Sequence, residues 1–277
     1  MNLNIIKFVN IDTTNIVKNN SFTHIKNKPI EDNIDNKRKH GIPTLPIIID
    51  TKEKEIKFIP EEIEIKEVET IEMEDEKLIS LTFDDGPSEY TNRLVNILKK
   101  NNSNATFFIS GKDIKGNEDI IKNIKDNGNE IGINGFSKKS FTDMSVDEVE
   151  AEIAGTYNML SKLDVNPSNI VRPPLGKLNE TIKVQVRSPF VLWNVDAGEP
   201  NKSNNVQMKN NIINNIEPGS IIRMHDSSIK TLQVLDELLP TLIEAGYKFV
   251  TLDEMNKKYS NVFVPGKVYA KIRGYAA

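Results

Sequence analysis

The run Leu81-Thr82-Phe83-Asp84-Asp85-Gly86-Pro87 decides the reading of this 277-residue chain. An apolar stretch (Leu78, Ile79, Leu81, Phe83) leads into two adjacent carboxylates and stops at Gly86-Pro87. That pattern reads as a buried strand delivering two acids to its C-terminal edge. In α/β folds this edge is where chemistry sits. Neighbouring side chains on a strand point to opposite faces, so one acid can serve a metal and the other act as general base. A metal held this way usually has histidine partners. The chain has three histidines, His24, His40 and His225, and none stands where such a partner is needed.

Working outward, the chain is long enough for one large domain and an appendage. A net charge of −4 with no basic stripe argues against a nucleic-acid-binding protein. The absence of cysteine removes disulfides, thiolate metal sites and cysteine nucleophiles. Met1-Asn2-Leu3-Asn4-Ile5-Ile6-Lys7 shows neither the basic nor the apolar region of a signal peptide. No apolar run reaches the roughly 20 residues that span a bilayer. Residues 1 to about 40, rich in Asn, Lys and Asp, are expected to be a weakly ordered polar lead with no site role for His24 or His40. The segments 45–50 and 55–59 read as a hairpin, and the alternating 62–68 as an edge strand or an extended acidic linker.

From Lys77 onward short apolar strands alternate with amphipathic helices. Strands are expected at 78–83, 105–109, 130–133, 170–172, 190–195, 220–224 and 248–252. Helices are expected at 91–100, 120–127, 146–163 and 231–245. Ser145 and Glu148 form a capping box opening the third helix, and Gly246 closes the last. About seven strands in strand–helix alternation imply an α/β fold, and an irregular barrel more than an open sheet.

Five punctuated segments end predicted strands: 82–86, 128–134, 171–176, 193–196 and 221–226. In order and spacing they resemble the polysaccharide deacetylase family (carbohydrate esterase family 4), which removes acetyl groups from chitin or peptidoglycan. The resemblance spans roughly residues 77 to 255. It implies a distorted (β/α) barrel, with 1–76 as an N-terminal extension and 256–277 as a C-terminal tail. It implies one divalent metal, zinc or another, held by an Asp and two His, whose bound water attacks the acetamide. On that resemblance Asp84 is the catalytic base, Asp85 a metal ligand and Arg172 the arginine that holds the base. His225 is the general acid, and the backbone after Pro174, at Leu175, is the oxyanion donor next to the substrate. The implied partner is an N-acetylated glycan of the peptidoglycan or chitin type, and the implied location is the cell envelope.

The chain departs from the family pattern at the metal. The two histidine positions hold Asn134 and Lys138, and the histidine before Glu130 is Asn129. The family's Asp-Trp after the fourth strand is Glu199-Pro200, so Glu199 stands where a carboxylate tunes the acid histidine. A lysine ammonium has no lone pair at neutral pH, and an amide oxygen is a weak ligand beside imidazole. The expectation is a Lys138–Asp85 ion pair in place of the metal, no cofactor, and a glycan-binding or regulatory pseudoenzyme. The alternatives are an active deacetylase with an atypical metal site, or a barrel that serves as a partner-binding platform. Trp193, in an apolar run, reads as core and not as a sugar platform.

Overall fold

The computed structural model describes residues 76–259 and 261–272, all within the compact unit Glu72–Ala277. The polar lead, the 45–59 hairpin and the 62–68 segment lie outside the described residues.

Strand β1 (Lys77–Gly86) is the centre of the fold. On one side it pairs in parallel with β2 (Ala105–Ile109), which pairs with β3 (Glu130–Ile133). From β3 the path continues through single bridges, Ile133 to Val171 and Val171 to Phe190. These lead to β4 (Phe190–Val191). Strand β5 (Val195–Asp196) pairs with β6 (Ile221–His225), which lies along Ser80–Asp84 of β1. The short β7 (Tyr247–Phe249) pairs with the first three residues of β1. Strand β8 (Val268–Tyr269) pairs with β4, and Lys271 bridges Ser220 just ahead of β6. That last bridge brings the path back to its start, so the mostly parallel sheet is a distorted barrel.

The alternation along β1 sorts its side chains. Ile79, Leu81 and Phe83 face a core shared with helices α1 (Thr91–Lys100) and α2 (Glu118–Asp126), and Phe83 rests on Phe107 of β2. The opposite face carries Leu78 into a second core with Phe108, Ile170, Val191 and Ile221. Thr82 and Asp84 follow Leu78 at the period of two, which places Asp84 at the top of the interior. Helix α3 (Val146–Ser161) begins with the expected capping box, Ser145 accepting from the Glu148 amide while Glu148 bonds the Ser145 amide. After α4 (Glu180–Gln185) and α5 (Asn205–Ile213) comes α6 (Ile229–Glu244), and Gly246 closes it at φ +86°.

Several expected elements are shorter than the sequence suggested. The strand read over 190–195 is two pieces. Leu192 donates to Tyr269 and Asn194 turns aside to bond Ser220 and Ile221, which breaks the ladder between them. Segment 170–172 contributes one bridging residue, Val171. The last strand stops at Phe249 because Thr251 caps α7 (Leu252–Lys258), with Glu254 completing a capping box.

The stretch 256–277, expected as a tail beyond the barrel, supplies β8 and buries Ile272 against the second core. Gly219, at φ +83°, lies so close that a Cβ there would sit 1.8 Å from the Ile272 carbonyl oxygen. Truncation after residue 255 removes Ile272 and the partly buried Tyr259 and Phe263 from that core. At roughly 1.5–3 kcal/mol per buried side chain, urea denaturation should show a loss of about 3 kcal/mol or more. An unchanged midpoint would return 256–277 to the status of a tail.

Candidate active site

Arg172 is the anchor of the barrel mouth. It is the largest fully buried side chain, at 0% exposure. Its Nη1 donates to Asp84 Oδ1 at 2.8 Å and to Thr82 Oγ1 at 2.7 Å. Its Nε and Nη2 donate to the carbonyls of Val191 and Leu192. The guanidinium plane lies 4.1 Å from the Phe108 ring centroid. Burial pushes the guanidinium down from its ordinary range, and Asp84 pulls it back up. An arginine stays charged in such a setting because its intrinsic pKa lies above 12. Asp84, which the sequence marks as the base, is thus fixed by charge and by two flanking strands.

Asp85, the next residue, faces away from that pocket in a left-handed conformation, φ 69°. Its carbonyl accepts from Lys138 Nζ at 2.8 Å, while its Oδ1 lies 4.0 Å from the same nitrogen. The carboxylate against Lys138 is Asp113, at 2.7 Å. The expected Lys138–Asp85 ion pair is present only as a long 4.0 Å contact; Asp113 is the closer carboxylate, and Asp85 gives Lys138 mainly its backbone carbonyl. Asp113 comes from a short 3₁₀ turn at Gly111–Asp113. Asn134 is buried, and its side-chain amide donates to the Arg172 carbonyl at 2.9 Å. Asn129 has a structural role, its Oδ1 accepting from the Ala105 amide.

His225, at the end of β6, is 6% exposed. Its Nε2 lies 3.8 Å from Asp85 Oδ2 and 3.6 Å from Glu199 Oε2, and its buried Nδ1 has no hydrogen-bond partner. Glu199 is close to the imidazole as the sequence suggests, yet beyond hydrogen-bond length. Its other oxygen accepts from Arg223, which also pairs with Asp196 and lies 4.2 Å from the Trp193 ring centroid. Trp193 is half-buried, packed on the second core between two arginines. Pro174 is buried and Leu175 is 69% exposed at φ 60°, with Gly176 against the Trp193 ring. Asp85, Lys138 and Leu175 all hold left-handed backbones without being glycine. Such strain concentrates at functional sites.

A family model for polysaccharide deacetylase matches residues 72–189. The solved structure of a T48 deacetylase with substrate is 34% identical, with a TM-score of 0.66 over 69% of this chain and 96% of that one. A family 4 acetyl xylan esterase from Clostridium thermocellum, solved with a cobalt ion, is 31% identical with a TM-score of 0.67, over 70% and 98% of the two chains. This chain belongs to the polysaccharide deacetylase family. The peptidoglycan-N-acetylmuramic acid deacetylase PdaC of Bacillus subtilis is 30% identical over 207 residues, 74% of this chain and 44% of that protein. The chain thus spans less than half the length of that curated relative. A mutant of a CE4 family pseudoenzyme with restored enzymatic activity is 28% identical, with a TM-score of 0.60 over 65% of this chain and 68% of that one.

Polysaccharide deacetylase structures thus include one with a divalent ion, and the residues here can be tested for such a fit. Among the described residues no three His, Asp or Glu side chains group to hold a metal. At the expected ligand positions, Lys138 brings a positive charge held by Asp113 and Asp85. The Asn134 amide is committed to the Arg172 carbonyl. Cations repel, and an amide is a weak ligand, so Asp85 is left without partners for a zinc-type site. The donor set does not fit.

The sequence reading missed Asp113, Asp196, Arg223 and Asp226. Three of these lie inside the quoted motif segments, where their charge was the available signal. Asp113 lies in a loop with none. Asp226 is buried beneath Gly86, where a Cβ would fall 2.0 Å from its Oδ2. Thr91 donates to that oxygen at 2.6 Å.

Burial pushes the Asp226 carboxyl up from 3.8 to about 7, against the pull of Thr91, Ser88 and Lys138. The folded protein then holds a proton that the unfolded chain has released. Stability from this group is full below about pH 3.8, declines as pH rises towards 7, and levels off above. Asp226→Asn should flatten that decline, which has a slope of up to about 1.4 kcal/mol per pH unit. Urea melts at pH 4.5, 6 and 7.5 measure it; parallel profiles for both proteins would refute it. Separately, Lys138→Ala should cost about 1–2 kcal/mol. This lies below the roughly 3–5 kcal/mol of a fully buried pair, because Lys138 and Asp113 are each about a quarter exposed. Asp113→Ala should match it in the same denaturation assay.

Proposed function

We propose that this protein binds an amino-sugar glycan of the peptidoglycan or chitin type at the barrel mouth without deacetylating it. The observation that carries this reading is the Lys138 ammonium, pinned by Asp113 and the Asp85 carbonyl at a position that the family resemblance gives to a metal ligand. An amide is a weak electrophile, and water that is not activated keeps a pKa near 15.7 where a metal-bound one is near 7. Acid–base help from Asp84 and His225 is worth about 10²–10⁴-fold, too little for useful amide hydrolysis. A related pseudoenzyme that regained activity by mutation supports the idea that this scaffold outlives its chemistry. The peptidoglycan named for the B. subtilis relative supports a cell-envelope ligand. No described helix is long and apolar enough to cross a membrane.

The reading of an active hydrolase draws on the intact Asp84–Arg172 pair, and one set of experiments separates the two. The purified chain should sediment with peptidoglycan sacculi, release no acetate from N-acetylglucosamine oligomers, and show no zinc-dependent melting shift. Asn134→His with Lys138→His should restore an Asp-His-His donor set and gain a shift of RT ln(1 + [Zn]/Kd). Acetate release by the parent that Asp84→Asn abolishes would overturn the proposal, as would failure to sediment.

A further inference from the structure

The barrel mouth holds more negative charge than its own cations neutralise. Its ion pairs set five carboxylates (Asp84, Asp85, Asp113, Asp196 and Glu199) against three cations (Lys138, Arg172 and Arg223). Arg172 is committed to Asp84, Lys138 to Asp113, and Arg223 is shared by Asp196 and Glu199. The nearby Lys230 ammonium is held by the carbonyls of Pro200 and Ser203. The five carboxylates and three cations alone carry a surplus of two negative charges.

The surplus is focused on one point. Asp85 and Glu199 have side chains about two-fifths exposed, and both aim an oxygen at His225 Nε2 from 3.8 and 3.6 Å. Neither contact is a hydrogen bond, and Nδ1 has no partner at all. A buried imidazole is normally hydrogen-bonded. Nε2, the ring nitrogen turned towards the two accessible carboxylates, forms no hydrogen bond with either, and the three groups converge on a point that suits a cationic donor. An N–H cation matches these acceptors, and among the described residues no three His, Asp or Glu side chains are grouped to hold a metal ion.

We infer that the mouth selects de-N-acetylated units, sugars whose 2-amino group is a free ammonium. This rests on the glycan-binding reading of the same site and names the form of glycan it takes. An ammonium donates N–H groups to Asp85 Oδ2 and Glu199 Oε2, and charge-assisted bonds of that kind are the strong ones. An acetamide is neutral, and its carbonyl would set a lone pair against two carboxylates. The ligand is then supplied by N-deacetylation, the class of reaction named for the relatives. This chain reads the product of a reaction it does not perform.

Isothermal titration of the full chain, after chelator treatment, with glucosamine hexamer and N-acetylglucosamine hexamer tests the inference. The amine form should bind at least about 10-fold tighter. Asp85→Asn and Glu199→Gln should each reduce that ratio several-fold, while Glu180→Gln, on the exposed face of α4, leaves it unchanged. Equal or tighter binding of the acetylated hexamer would overturn the inference and leave the glycan-binding reading standing. A preference that Glu180→Gln lowers as much as Asp85→Asn would reduce it to overall charge, and overturn it too. Binding of neither oligomer would overturn both.

Discussion

The buried Arg172–Asp84 pair is the constraint around which the barrel mouth is arranged. A fully buried guanidinium is tolerable only if its charge and its N–H groups all find partners. Here they are a carboxylate and a hydroxyl from β1, and two carbonyls from the segment at β4. The aromatic face of Phe108 covers the plane. Satisfying one side chain therefore fixes the distance between strands that share no continuous ladder, since the barrel wall at Val171 is held by single bridges. Loss of either charge would strand the other in the interior, which costs about 3–5 kcal/mol.

Lys138 stabilises the mouth without neutralising it. Its ammonium neutralises Asp113 and caps the Asp85 carbonyl, and it does so from a left-handed backbone that L-residues adopt only at a cost. Yet it leaves the Asp85 side chain and Glu199 turned toward His225. Lys138 balances part of the mouth's negative charge and leaves the rest uncancelled. The mouth thus keeps surplus negative charge beside a lysine that already holds one carboxylate. The same region also raises the Asp226 carboxyl to about 7, which ties the stability of the mouth to pH.

How much of this was legible in the sequence can be seen residue by residue. The periodic apolar pattern gave β1, β2, β3 and α1 nearly to their ends, because burial on one or two faces writes itself into consecutive side chains. Five punctuated motifs in order pointed to the barrel, to Asp84, Arg172 and His225, and to the loss of two histidines. The signal failed where structure depends on one residue: Val171 makes a barrel wall from two bridges, and the 256–277 stretch joins it through two paired residues and Ile272. Neither leaves a period to read.

Pairing was decided only by the tertiary structure. Sequence chemistry established that Lys138 could not ligate a metal and required a carboxylate. It named Asp85, the acid in view, whereas the fold brought Asp113 to 2.7 Å from a 3₁₀ turn that carries no motif. It placed Glu199 beside His225, but could not say that Arg223 would hold one oxygen of Glu199 and leave the imidazole unpartnered. Residue types and order along the chain are local information, and they were enough for the family and the fold. Which charge meets which is set by distances across strands far apart in sequence, and only the folded barrel brings those charges together.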